Sequence, residues 1–149
     1  MHTLKLSLIV LLMACAGLAA ADSTLVIRAS AHDVKTTMDR LESIVRDKGL
    51  MVFARVDHAA NAASVNLEMP ESQLLVFGNP KAGTLIMNED IRAGLDLPLR
   101  VLVYRDTDGA TKILYRQPRA LAADFDVAGN KVLGKVDQAL AYLTLAAAR

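Results

Sequence analysis

The chain lacks an excess of either charge: 17 lysines and arginines stand against 16 aspartates and glutamates, a formal net of +1. Proteins that neutralise a phosphate backbone carry a clear basic surplus, so nucleic-acid binding is excluded as the main role. Cysteine is almost missing, the only one being Cys15. Long hydrophobic runs are scarce as well. The single extended one, Leu6 to Ala21, thins into alanines and falls short of the roughly 20 residues that a helix needs to cross a bilayer. No linker, repeat or low-complexity segment interrupts the rest. Against these absences, 53% of the 149 residues are apolar. That share excludes a disordered, collagen-like or polytopic membrane chain, and the length gives room for one domain.

Residues 1–21 read as a secretory signal. His2 and Lys5 make a weakly basic start, Leu6 and Leu8 to Leu12 supply the apolar stretch, and Ala19-Ala20-Ala21 offers the small residues that a signal peptidase requires. Asp22 would begin the mature chain, residues 22–149, as a single domain in the periplasm. The competing arrangement is a lipoprotein box, Leu12-Met13-Ala14-Cys15, in which Cys15 carries lipid and tethers the protein to a membrane. Met13 is an unusual occupant of such a box, so cleavage after Ala21 ranks first. That cleavage removes one charged residue, Lys5, leaving 16 basic against 16 acidic residues. It also leaves no cysteine, which excludes disulfides, thiolate metal sites and cysteine nucleophiles together. The core alone must then offset about 1–2 kcal/mol of backbone entropy for each ordered residue.

Local patterns predict the elements. Thr24 to Ala29 alternates and is β-branched, as a strand does. Ser30 reads as an N-cap, with Asp33 near the positive end of the helix dipole. Val34, Met38, Leu41 and Val45 recur at helical spacing before Gly49, giving an amphipathic helix over 31–48. Leu50 to Val56 is a second strand, Asp57 to Ser64 a short helix or turn, and Val65 to Met69 an edge strand stopped by Pro70. Gln73 to Phe77 is uninterrupted apolar sequence, the mark of a central buried strand. Gly78-Asn79-Pro80 breaks it, and a helix should run from Pro80 towards Asn88. Leu97 to Arg105 and Ala110 to Arg116 are strands joined by a hairpin at Asp108-Gly109. A helical turn begins at Pro118. Asn130 caps a last helix with Val132, Val136, Leu140 and Leu143 on one face. The sum is an α+β domain with helices covering a mostly antiparallel sheet.

Several segments also carry a resemblance. Asp57-His58-Ala59-Ala60, then residues 74–84 (LLVFGNPKAGT), then Leu95-Asp96-Leu97-Pro98-Leu99 and Asp108-Gly109 resemble, in order, the domain of unknown function 302 family. The likeness covers about residues 30–125, and FGNPKAGT is its most specific part. It implies a β-α-β(4)-α arrangement similar to that of the TATA-binding protein, and it implies no established activity. The chain departs from the family pattern in three places. Arg116-Gln117-Pro118 stands where relatives often have Asn-Asp-Pro, Ala123-Asp124-Phe125 where they have an Arg-His pair, and Met69-Pro70-Glu71 where they have Arg-Pro-Thr. If that Arg and His hold a ligand in relatives, this chain has lost them.

Candidate chemistry concentrates in the polar, turn-rich segments. Gly78, Asn79, Pro80, Lys81, Gly83 and Thr84 form a strand-to-helix bend where free N–H groups and a lysine can hold a phosphate or carboxylate. The bend lacks the spacing of a nucleotide loop, and its plainer role is to turn, cap and pack. Asp57 and His58 end a strand, where an imidazole can act as acid, base or ligand; a surface or capping histidine is the plain alternative. His32 has no metal-like spacing to His58. Met38, Met51, Met69 and Met87 raise copper binding but form no clustered motif, and Met38 and Met51 fit core positions. Tyr104 and Tyr115 sit on the hairpin strands as packing residues. No cofactor or metal is implied, and no nucleophile-elbow motif is present.

Three functions follow in order of preference. The first is an exported, non-enzymatic module that binds a small anion or a protein partner through His58 and the Gly78–Thr84 bend. The second is an enzyme with His58 as acid–base, helped by Asp57 or Asp96 and by the N–H groups of the bend. The third is a homodimeric interaction protein joined through a sheet edge or face.

Overall fold

A computed structural model describes residues 24–149. The stretch expected to be a signal sequence, with its expected cleavage site and Cys15, lies outside the described residues. Five strands form one sheet: β1 (Leu25–Ala29), β2 (Met51–Asp57), β3 (Ser72–Gly78), β4 (Leu99–Arg105) and β5 (Thr111–Arg116). Their order is β1-β5-β4-β3-β2, every neighbouring pair antiparallel. Helix α1 (Val34–Asp47) joins the two edge strands, and α4 (Lys131–Ala148) closes the chain. Short α2 (His58–Ser64) and α3 (Pro80–Met87) interrupt the strand run, with 3₁₀ turns at Ile91–Leu95 and Pro118–Ala123. The α+β class therefore holds.

Strand alternation decides which side chains are buried. Leu75 and Phe77, Val101 and Val103, and Ile113 and Tyr115 point to one side. There they meet Val34, Met38, Leu41 and Val45 of α1 and Leu140, Leu143 and Ala147 of α4. Each large apolar side chain so buried contributes about 1.5–3 kcal/mol. A smaller second cluster, Ile86, Ala93, Leu121, Val127 and Leu133, ties α3 and both 3₁₀ turns to the first part of α4.

Four sequence expectations need correction. Helix α1 starts at Val34 and is capped by Asp33, whose carboxylate accepts from Thr36 N at 2.6 Å. Ser30 is not the cap, because Ser30 N is held by Thr111 O and Ala31 N by Ala148 O, which keeps that stretch extended. The expected strand at 65–69 is a helix stop. Asn66 takes a left-handed φ of 60°, Asn66 N donates to Ala63 O, and Leu67 N donates to Ala62 O, a pairing that ends helices. Met51 is half-exposed on the edge strand rather than in the core. The apolar run at β3 is buried on one side only, since Leu74 and Val76 are left part-exposed.

Among the described residues one carboxylate, Asp90, is buried, with its side chain 7% exposed. Asp90 accepts from Arg92 Nη2 at 2.7 Å, from Arg92 Nε and Arg92 N at 3.0 Å, and from Asp126 N at 3.0 Å. The Arg92 guanidinium, then the Asp126 amide, hold its carboxyl well below the ordinary carboxylate range. A carboxylate depressed by folding stabilises the native state only while ionised, so its contribution is complete above the unfolded value and is lost as pH falls below about 4. Asp90→Asn is expected to lower the Tm at pH 7, with the gap to the parent shrinking steadily below pH 4. Thermal unfolding followed by circular dichroism from pH 7 to 2.5 checks this; a pH-independent gap refutes it.

Candidate functional site

The bend after β3 is built by capping. Gly78 closes the strand opposite Met51. Asn79 is extended, and its Oδ1 accepts from Lys81 N at 2.9 Å and Ala82 N at 3.3 Å. Gly83 N donates to Asn79 O at 2.9 Å, and Pro80 has no N–H to give. The donors that a helix start usually offers to an anion are thus already engaged within the chain. Lys81 is exposed beside them.

Beneath this bend lies a cleft of about 320 Å³. Its walls come from four parts of the chain: Leu50 and Phe53 at β2, the bend and α3 from Gly78 to Met87 except Lys81 and Leu85, Leu97-Pro98-Leu99 entering β4, and Val136, Ala139, Leu140 and Leu143 on α4. Asn79 and Thr84 are the only polar side chains in that lining. Neither glycine of the bend is forced by backbone shape, because among the described residues positive φ occurs only at Gly49, Asn66 and Gly109. A Cβ on Gly78 would meet Pro98 at 3.6 Å and Phe53 at 3.8 Å, both cleft residues. A Cβ on Gly83 would meet only Met87, at 4.0 Å. The missing side chains leave the hollow open.

The other expected site residues lie elsewhere. Asp57 pairs with Gln73 at the far end of β3 from Gly78, five residues or about 17 Å along the strand. Its Oδ1 caps α2 through Ala60 N at 2.9 Å, and its Oδ2 accepts from Gln73 Nε2 at 3.2 Å. His58 is the first residue of α2, at that same far end. Asp57 and His58 therefore do not share a site with the bend, and an acid–base pair working with its N–H groups has no geometry here. Asp96 binds Arg100 at 3.0 Å and faces a different depression beyond Leu97. Met38 is in the core, Met87 in the cleft, and Met51 and Met69 are exposed. Among the described residues, no group of three or more His, Cys, Asp or Glu is placed to hold a metal.

Sequence reasoning missed the far wall. Val136, Leu140 and Leu143 were readable as an apolar helix face, but nothing local told that this face, with the small Ala139, borders a hollow. Phe53 reaches the cleft because the register shifts between Val52 and Ala54, an irregularity without a local signature. Asn79→Ala removes the acceptor for two amides and is expected to cost about 1 kcal/mol. Urea unfolding measures this; a change within error would show that the cap does not hold the bend.

Comparison with known proteins bears on the family and the fold. Two curated relatives, both named fluoride-specific ion channel FluC 1, are 40% identical over 101 residues. They come from Brucella suis biovar 1 (strain 1330) and Brucella abortus biovar 1 (strain 9-941). The match covers 68% of this chain but 40% and 37% of those proteins, so the chain spans well under half of their length. A crystal structure of an uncharacterised conserved DUF302 protein from Bacillus stearothermophilus superposes with a TM-score of 0.67. It is 20% identical and covers 84% of this chain and 95% of that one, which shows a shared fold. The family model described as "Domain of unknown function DUF302" matches residues 26–143, and the chain belongs to that family.

Proposed function

We propose that this chain is an exported, periplasmic, non-enzymatic binding module whose cleft takes a small amphiphilic ligand with an apolar body. The carbon-lined hollow under the Gly78–Thr84 bend carries this reading. Ligand pockets are mostly apolar with a few polar groups that fix orientation, and here Asn79 and Thr84 stand in that place. A small anion is the weaker ligand, because the α3 amides are engaged by Asn79. Export rests on the leader in residues 1–21.

Thermal-shift titration with a medium-chain fatty acid, phosphate and sulfate tests the ligand class. The fatty acid is expected to raise the Tm, and the inorganic anions to leave it unchanged relative to chloride. Ala139→Phe, which places a ring in the cleft, is expected to weaken fatty-acid binding at least tenfold while the far-ultraviolet spectrum stays native. Absence of stabilisation by the fatty acid at high excess, or equal binding by Ala139→Phe, would sink the proposal.

The named relatives favour a second reading, in which the module serves an ion channel. No helix among the described residues is long and apolar enough to cross a membrane, so the shared segment would act beside a pore. Direct fluoride binding by the module is expected to be absent, since the bend has no amide left to offer. A Tm rise in fluoride that is missing in equimolar chloride would reverse that expectation and favour the channel-linked role.

A further inference from the structure

We infer that the depression beyond Leu97 is a second binding site, which takes a free α-amino acid with an apolar side chain. The depression has a polar part and an apolar part. The polar part, of about 240 Å³, is lined by Arg116 at the end of β5 and by Asp124, just after the 3₁₀ turn at Pro118–Ala123. The apolar part, of about 330 Å³, is lined by Leu74, Leu102 and Leu114, cross-strand neighbours on β3, β4 and β5. Asp96, Arg116 and Leu121 line both parts, so the two are continuous. Arg116 stands two residues beyond Leu114, and a strand sends such residues to the same side.

Charge sets the class of the ligand. Four ionisable side chains border the depression: Asp96, Arg100, Arg116 and Asp124. Arg100 and Asp96 neutralise each other at 3.0 Å. The other two are not neutralised. Arg116 donates to the uncharged Thr24 Oγ1 at 2.6 Å, and neither Arg116 nor Asp124 has an ion-pair partner among the described residues. They border one small hollow without pairing with each other.

A cation and an anion so placed are both satisfied by a ligand that carries the two signs on one carbon. The carboxylate of an α-amino acid accepts from the Arg116 guanidinium, and its ammonium donates to the Asp124 carboxylate. Its side chain then enters the leucine-lined part, where apolar contact replaces water. A simple carboxylate would meet a like charge at Asp124, and a simple amine would meet one at Arg116. A peptide holds its terminal charges too far apart to serve both. This site is separate from the cleft under the Gly78–Thr84 bend, with which it shares only Leu97 and Leu99. A ligand this small, held by partly exposed charges, dissociates on the order of 0.1–1 mM.

Titration of L-leucine to about 10 mM, well past that range, into protein purified from cells expressing the full-length chain tests the site, with amide chemical shifts as the readout. Saturable shifts are expected on the segments around Arg116 and Asp124. N-acetyl-leucine, which lacks the ammonium, and leucinamide, which lacks the carboxylate, are each expected to bind at least tenfold more weakly. Arg116→Gln and Asp124→Asn, both at exposed positions, are expected to weaken leucine binding at least tenfold with native circular dichroism spectra. L-aspartate, whose side chain does not suit the leucines, is expected not to saturate. No saturable shift with leucine overturns the inference, as does equal binding by either variant or by either blocked leucine. Ala139→Phe is expected to bind leucine like the parent; loss of leucine binding there would place the amino acid in the cleft and also overturn it. Fatty-acid binding by Arg116→Gln should equal the parent's, so this result and the cleft reading stand or fall separately.

Discussion

The packing of α1 and α4 onto one side of the sheet is the constraint from which the rest follows. Both helices present apolar stripes, and the inward positions of β3, β4 and β5 answer them with large side chains. Two helices cover a five-stranded sheet unevenly. Where α4 runs past the end of β3, α3 and the segment entering β4 fill the remaining gap incompletely, and the cleft is what remains. The hollow is thus a by-product of layer geometry, bordered by the small residues Gly78, Gly83 and Ala139.

The same one-sidedness accounts for the polar network. Arg55 of β2 lies on the helix side of the sheet and reaches Asp39 at 2.6 Å and Glu42 at 3.1 Å on α1, while its Nε and Nη2 donate to Gln73. These contacts are partly exposed, and such pairs contribute modestly. Their effect is directional: they fix the edge strand β2 against α1 where few apolar contacts do so. At the opposite end Asp90 performs a comparable task, joining the turn at Ile91–Leu95 to the segment before α4.

Much of the fold was legible in the sequence because its signals are local. The spacing of Val34, Met38, Leu41 and Val45, the Asp108-Gly109 hairpin, Asn130 as a cap and Pro80 at a helix start each involve a few neighbouring residues. The errors arose where distant partners decided the outcome. Ser30 fits a cap by type, but β5 and the end of α4 pull its backbone straight. Val65 to Met69 alternates like a strand, yet Asn66 in the left-handed region reverses the chain first. The site was less legible still. Asp57 and Gly78 read as neighbours in function because both are polar turns beside strands. Only the antiparallel register of β2 with β3 reveals that they occupy opposite ends. The cleft draws on four separated segments, and no local rule reports how they converge.

The register shift between Val52 and Ala54 has a consequence for supramolecular order. An edge strand that is straight and apolar templates endless lateral growth, and a kinked one cannot add a neighbour in register. With β2 so interrupted, the sheet has no continuous rim on that side along which further molecules could align. The opposite rim, β1, pairs without a register shift, so the restraint belongs to the β2 side alone.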